Sequence, residues 1–201
     1  MKKPKFKISD VLFVILIILL IVPQTRTPMM VLVNRLKVVL FSPGLASEKE
    51  QIQLQPFVYE LENLDGEPVN AKVGDGEITF ISYWATWCPP CIAELPSIDG
   101  LYQDYGDKIS FLMISNEDPE KIKSFLEKKN FSVPAVVSNM NPPKDLYEKT
   151  IPTNYIIDHT GKIVIKEKGA SNWNSEKIRN VLDALIAERD SSDHKKALSN
   201  F

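Results

Sequence analysis

Apolar and polar positions divide this chain into blocks before any motif is considered. Residues 11–22 are uninterrupted aliphatic residues and one phenylalanine, preceded by Lys2, Lys3, Lys5 and Lys7 and closed by Pro23. Met29, Leu32, Val33, Leu36, Val39 and Leu40 then recur on one helical face, broken by Asn34, Arg35 and Lys37. Residues 42–55, with Pro43, Gly44 and a Glu48-Lys49-Glu50 cluster, carry no such period and read as a connection. Beyond them the apolar runs shorten to strand length. Residues 57–61 with a turn at 63–67 read as the start of a hairpin; residues 78–84 and 109–115 read as buried strands. Asp118-Pro119-Glu120 is a helix start, with Ile122, Phe125 and Leu126 on its inner face and Lys128, Lys129 and Asn130 at its end. Residues 133–137 form a short strand, followed by a polar Asn-Pro-Pro loop and a short helix to Lys149. Residues 151–158 and 163–168 pair across a turn at His159-Thr160-Gly161-Lys162, and Ser175 caps a last helix bearing Ile178, Val181, Leu182, Leu185 and Ile186.

This pattern predicts five segments. Residues 1–7 form a basic tip, 8–22 a transmembrane signal anchor, 23–50 a tether, 51–190 one globular domain and 191–201 a polar tail. The apolar core is shorter than the ~20 residues of a comfortable span, so an anchor needs Ile8 and snorkelling lysines to extend it. A cleaved signal peptide is the alternative. Against it, residues 23–27 offer no small-x-small site, and Gly44-Leu45-Ala46 lies too far downstream. The lysines place the tip in the cytoplasm, so the domain is expected outside a bacterial inner membrane, facing the periplasm or the exterior. Residues 29–41 suit an amphipathic helix in the membrane interface, a partner-binding helix, or a plain linker.

Composition narrows the chemistry. With 24 basic and 26 acidic side chains the net charge is −2, and no basic patch interleaved with aromatics points to nucleic acid. There are two cysteines in 201 residues, Cys88 and Cys91. An exported domain with one such pair fits a catalytic couple better than a disulfide scaffold. A zinc site would need two more ligands, and beyond the pair there are only His159 and His194. A structural disulfide across so short a loop would remove little chain entropy.

The cysteines sit in Trp84-Ala85-Thr86-Trp87-Cys88-Pro89-Pro90-Cys91, after a strand and before the stripe Ile92, Leu95, Ile98, Leu101, Tyr102, Tyr105. That places them at the first turn of a helix, where unpaired N–H groups and the helix dipole favour a thiolate. Pro89 and Pro90 suit that turn, because a missing donor there costs little. Cys88 at the tip is expected to be the exposed attacking thiol. Cys91, one turn in, is expected to be the buried thiol that resolves a mixed disulfide. Trp87 is expected to flank the sulfur and shape a docking surface; Trp84, Tyr83 and Trp173 read as packing residues.

These residues resemble the thioredoxin superfamily. The Trp-Cys-Pro-Pro-Cys run followed by Pro96 is similar to the family's active-site helix, and Thr150-Ile151-Pro152-Thr153 to its Ile-Pro-Thr segment, whose proline peptide is cis and faces the cysteines. Glu94 matches the glutamate of the membrane-anchored TlpA/ResA branch. Cys91 and Pro152 stand 61 positions apart (152 − 91), which leaves room for that branch's central segment at residues 116–140. The resemblance implies an α/β thioredoxin-like fold, a central mixed sheet with helices on both faces, after the N-terminal membrane anchor. It implies thiol–disulfide exchange at Cys88 and Cys91 with no cofactor beyond their disulfide and no metal. Pro89, Pro90, Ile151, Pro152 and Trp87 would dock the substrate. The expected partners are disulfide-containing exported proteins, apocytochrome c among the family's substrates, and a membrane thiol electron donor. Where thioredoxins carry a buried aspartate, this chain has Ser82, which is no base at neutral pH. Glu94, three residues past Cys91, is the replacement as proton acceptor; a solvated surface glutamate is the competing reading. An oxidase would use the same residues in reverse; a non-enzymatic anchored redox sensor or binding module is the other alternative, and it predicts that a protein with Cys88→Ser and Cys91→Ser still functions. A peroxidase fits less well, since Thr86 stands two positions before Cys88 rather than three.

Overall fold

The computed structural model describes residues 8–46, 51–138 and 141–199. The basic tip, the Glu48-Lys49-Glu50 cluster and the last two residues of the tail lie outside them. Seven strands form one mixed sheet: β1 (Phe57–Asn63), β2 (Pro68–Val73), β3 (Thr79–Tyr83), β4 (Ser110–Ser115), β5 (Ala135–Val137), β6 (Thr153–Ile157) and β7 (Ile163–Lys168). Their spatial order is β2-β1-β5-β4-β3-β6-β7. β3 is an inner strand, parallel to β4 and antiparallel to β6, with Phe80 opposite both Phe111 and Ile156.

Two helices cross between parallel strands, α3 (Pro89–Tyr105) from β3 to β4 and α4 (Pro119–Lys129) from β4 to β5. Both steps run the same way along the sheet. Right-handed crossovers therefore put both helices on one face. α5 (Glu176–Ser199) joins them there: Leu95 and Ile98, Ile122 and Leu126, and Ile178 and Leu182 share one core with Phe80, Met113 and Ile156. The opposite core, around Ile81, Leu112, Tyr155 and Ile157, is closed by Leu54, Tyr59 and Leu61 and by Leu146 of a 3₁₀ turn, Lys144–Leu146. The expected helices on both faces are thus corrected: among the described residues no α-helix contributes to that second core. The segment 116–140 holds α4 and β5.

Local chemistry sets the boundaries. Asp118 caps α4 by accepting the N–H groups of Glu120 at 3.0 Å and Lys121 at 3.3 Å, Pro119 follows, and Asn130 ends the helix at φ 57°. Asp118→Ala is expected to lower stability by about 1 kcal/mol, read as a shift in the urea midpoint. α5 continues through residues 191–199, so most of the stretch read as a polar tail is helical.

At the N-terminus the apolar block is a helix, α1 (Ile8–Ile21), of 14 residues, and Pro23 opens a second one, α2 (Pro23–Leu40). Among the described residues no helix is long and apolar enough to cross a membrane. The break follows from Pro23, which suits a first helical position and ends the helix before it. The span read as a tether is fastened to the domain. Val38 packs against Ala93 and Ala170, Phe41 C=O accepts Asn172 N–H at 2.9 Å, and Ala46 N–H donates to Val164 C=O at 2.9 Å. Leu32, Leu36, Val39 and Leu40 of α2 are exposed.

Candidate active site

β3 ends at Tyr83, and the next five residues carry the chain from the sheet edge to α3. Trp84 N–H donates to Ile114 C=O at 3.1 Å, which keeps the loop against β4. Glu117 then grips it: one carboxylate oxygen accepts Thr86 N–H at 2.6 Å and the other Thr86 Oγ1–H at 2.9 Å, with Lys121 paired to the same group. Burial would raise the Glu117 carboxyl, but Lys121 and Thr86 outweigh it and hold it below its ordinary range. Glu117 gave no sign in the sequence, since its partner lies 31 positions away.

Cys88 is the N-cap of α3 and Pro89 and Pro90 open its first turn. Cys88 and Cys91 are joined in a disulfide, S–S 2.13 Å, and Cys91 N–H points at Cys88 Sγ from 3.3 Å. That donor and the helix N-terminus favour negative charge on Cys88 once the bond is reduced. Cys88 is only 3% exposed. The expectation of an exposed Cys88 is corrected for the oxidised form, in which its sulfur is tied into the helix end and the residue packs in the α3 core. Trp87 beside it is 63% exposed. The Ile151–Pro152 peptide is cis. Pro152 is buried and Ile151, Pro89 and Pro90 are half-buried.

Trp87 and Ile151 also line a cleft of about 730 Å³, with Tyr59, Tyr83, Asn116 and Tyr147 among its other walls. Tyr83, expected in the core, is half-buried there, its hydroxyl 3.4 Å from that of Tyr59. Burial and that partner push the Tyr83 phenol well above its ordinary value.

Glu94 lies one turn beyond Cys91 and is 1% exposed, so the surface reading fails. Three donors hold it: Asn154 Nδ2 at 2.9 Å to Oε1, and Trp173 Nε1 at 3.1 Å and Ser171 N at 3.2 Å to Oε2. Burial dominates and pushes the carboxyl up to about 8, against those hydrogen bonds, with Glu167 adding in the same sense. For Trp173 the sequence favours packing over a place at the rim of the site. It does pack, edge-on to Phe80 at 5.0 Å, but its indole N–H is also spent on Glu94. Asn154 and Ser171 were not foreseen. The available signal is one amide inside the fully buried strand Thr153-Asn154-Tyr155-Ile156-Ile157. Ser82 is fully buried, opposite Asn154 in register.

The family model described as AhpC/TSA matches residues 55–166, more than half of the chain. The chain belongs to the AhpC/TSA family. The AhpC/TSA span contains the disulfide, Glu94 and Pro152 but ends before Ser171 and Trp173. Thioredoxin-like protein YneN of Bacillus subtilis strain 168 is 28% identical over 109 residues, covering 52% of this chain and 64% of that protein. The thiol-disulfide oxidoreductase ResA of Halalkalibacterium halodurans is 29% identical over 113 residues, covering 55% and 64%. The chain thus spans a little under two thirds of the length of these relatives. A thiol:disulfide interchange protein of the thioredoxin family from Chlorobium tepidum TLS superimposes with a TM-score of 0.52 at 21% identity, over 67% of this chain and 99% of that one. The fold is the thioredoxin-like α/β fold with a central mixed sheet.

Proposed function

We propose that the chain is a membrane-tethered thiol–disulfide oxidoreductase that reduces disulfides of exported proteins. The observation that carries this reading is a disulfide at a helix N-terminus with a buried, elevated carboxyl one turn further along. In the reducing direction the Cys88 thiolate attacks a substrate disulfide and one substrate sulfur leaves as thiolate. Cys91 then passes its proton to Glu94 and attacks Cys88 Sγ, which releases the second substrate sulfur and re-forms the Cys88–Cys91 bond. Two electrons pass from the dithiol to the substrate. A membrane thiol donor restores the dithiol. The cleft beside Trp87 and Ile151 would take the chain flanking the substrate cysteine, and apocytochrome c is a candidate substrate.

The membrane tether is supported by the basic tip before a helix that is apolar from Val11 onward, and by α2, which carries Arg26, Arg35 and Lys37 and no acid. It would place the domain outside a bacterial inner membrane. The oxidase reading shares every residue and differs in potential. Equilibrating the protein with glutathione or dithiothreitol separates the two. A potential near or below about −270 mV is expected of a reductant, whereas one near about −120 mV makes the protein a disulfide donor. A couple that never exchanges overturns the enzyme reading in favour of an anchored binding module.

A further inference from the structure

The two oxygens of Glu94 are held by different kinds of partner. Oε2 accepts an indole N–H and a backbone N–H, from Trp173 and Ser171. Neither nitrogen has a lone pair to offer, so neither can accept a proton in return. Oε1 accepts Nδ2–H of Asn154 at 2.9 Å. The other end of that amide, Asn154 Oδ1, is buried and takes no hydrogen bond among the described residues. An amide is the one partner here that becomes an acceptor by half a turn about its last torsion.

A carboxyl that gains a proton must aim its O–H at something. At Oε2 it would meet two donors, and a buried donor facing a donor is unfavourable. At Oε1 it meets an amide whose oxygen is uncommitted, so the rotation breaks no bond at Oδ1. The Nδ2 group displaced by that rotation needs an acceptor. Ser82, the register partner of Asn154 on β3, carries a buried Oγ that also has no partner among the described residues. Register partners project from the same face of the sheet.

We propose that Asn154 is a positioning residue that turns with the proton on Glu94, donating to Oε1 of the carboxylate and accepting from Oε1–H of the acid. The inference rests on the reading of Glu94 as proton acceptor. In the resolving step the proton leaves Cys91 Sγ for Glu94 Oε1, the Cys91–Cys88 bond forms, and the bond from Cys88 to the substrate sulfur breaks with its electron pair going to that sulfur. Asn154 steers the arriving proton to the one oxygen at which the acid is fully bonded. Among the described residues the other charged group acting on Glu94 is Glu167 on β7, whose own carboxyl burial raises against the pull of Lys37 of α2 and Lys177 of α5.

The first readout needs no variant. In ¹⁵N-labelled full-length protein titrated from pH 6 to 10, the Trp173 indole N–H and the Asn154 side-chain amide are expected to shift with one common midpoint. A Trp173 signal that titrates while the Asn154 amide stays fixed overturns the proposal. The second readout compares Asn154→Thr, whose hydroxyl both donates and accepts, with Asn154→Val, of the same shape and able to do neither. From a preformed mixed disulfide at pH 7, Asn154→Val is expected to release substrate thiol about tenfold more slowly, and Asn154→Thr within about twofold of wild type. A valine variant as fast as wild type, or a threonine variant as slow as valine, overturns it. If the valine variant does not fold, the wild-type titration decides. Glu94→Gln is run alongside: if it resolves at the wild-type rate, the proton-acceptor reading itself fails. A slow Glu94→Gln with an unaffected Asn154→Val removes Asn154 alone.

Discussion

Replacing Glu94 by glutamine is expected to slow resolution of the mixed disulfide by about a hundredfold or more, and to make the folded protein more stable at alkaline pH. Both effects come from one carboxyl, which burial pushes up to about 8 although Asn154, Trp173 and Ser171 all bond to it. As an acceptor it must be ionised. The wild-type resolution rate should therefore rise with pH through about 8, and the glutamine variant should lose that rise. The stability effect has the opposite sign. In the unfolded chain the same carboxyl titrates near its ordinary 4.5. Between that value and about 8 the folded protein keeps a proton that the unfolded chain has released. Stability contributed by this group is therefore complete below the lower value and is lost as pH rises to the upper one, by an amount on the order of a few kcal/mol. Glutamine cannot ionise and retains both an acceptor and a donor end for the same neighbours. Urea unfolding at pH 5, 7 and 9 checks this: the variant should gain on the wild type at each step. Parallel stability curves would show that Glu94 does not hold its proton in the fold.

Only part of the site around Glu94 is legible in the chain. Cys88 and Cys91 announce themselves through their spacing across one helical turn, whereas Glu94 and Pro152 are picked out by the resemblance to the thioredoxin superfamily. The groups that tune Glu94 are marked by neither. Asn154, Ser171 and Trp173 lie 60, 77 and 79 positions from it, and only the pairing of β6 with β3 and the return of the chain after β7 bring them together. Periodicity speaks for which face of an element is buried and not for what it is buried against, so it marks Trp173 as a packing residue and says nothing of a partner for its indole N–H. The same limit accounts for the sheet. Strands alternating with helices imply an α/β fold, but the side each helix takes depends on the direction of successive crossovers. Here both run from β3 towards β5 and leave the far core to Leu54, Leu146 and the β1–β2 hairpin. The fastening of α2 through Val38, Ala93 and Ala170 was equally hidden, because small residues in contact carry no pattern.

Trp173 is where the packing and the chemistry can be separated. Trp173→Ala is expected to lower stability by about 4 kcal/mol, since the ring is fully buried and meets Phe80 edge-on at 5.0 Å with an interplanar angle of 79°. The truncation also takes a donor from Glu94 Oε2, leaving Ser171 N–H there alone. Trp173→Phe keeps most of the buried ring and removes only the N–H, so its stability loss should be about 1–2 kcal/mol. Yet it should still act on the sulfur chemistry. With one fewer hydrogen bond to the carboxylate, Glu94 titrates higher, less of it is ionised at pH 7, and resolution slows while the pH at which the rate climbs moves upward. Urea midpoints and the pH profile of resolution, measured on both variants, give the test. A phenylalanine variant with the wild-type profile would show that the indole only fills space, whereas a displaced profile on a nearly intact fold would establish that a residue 79 positions away sets the proton affinity of the site.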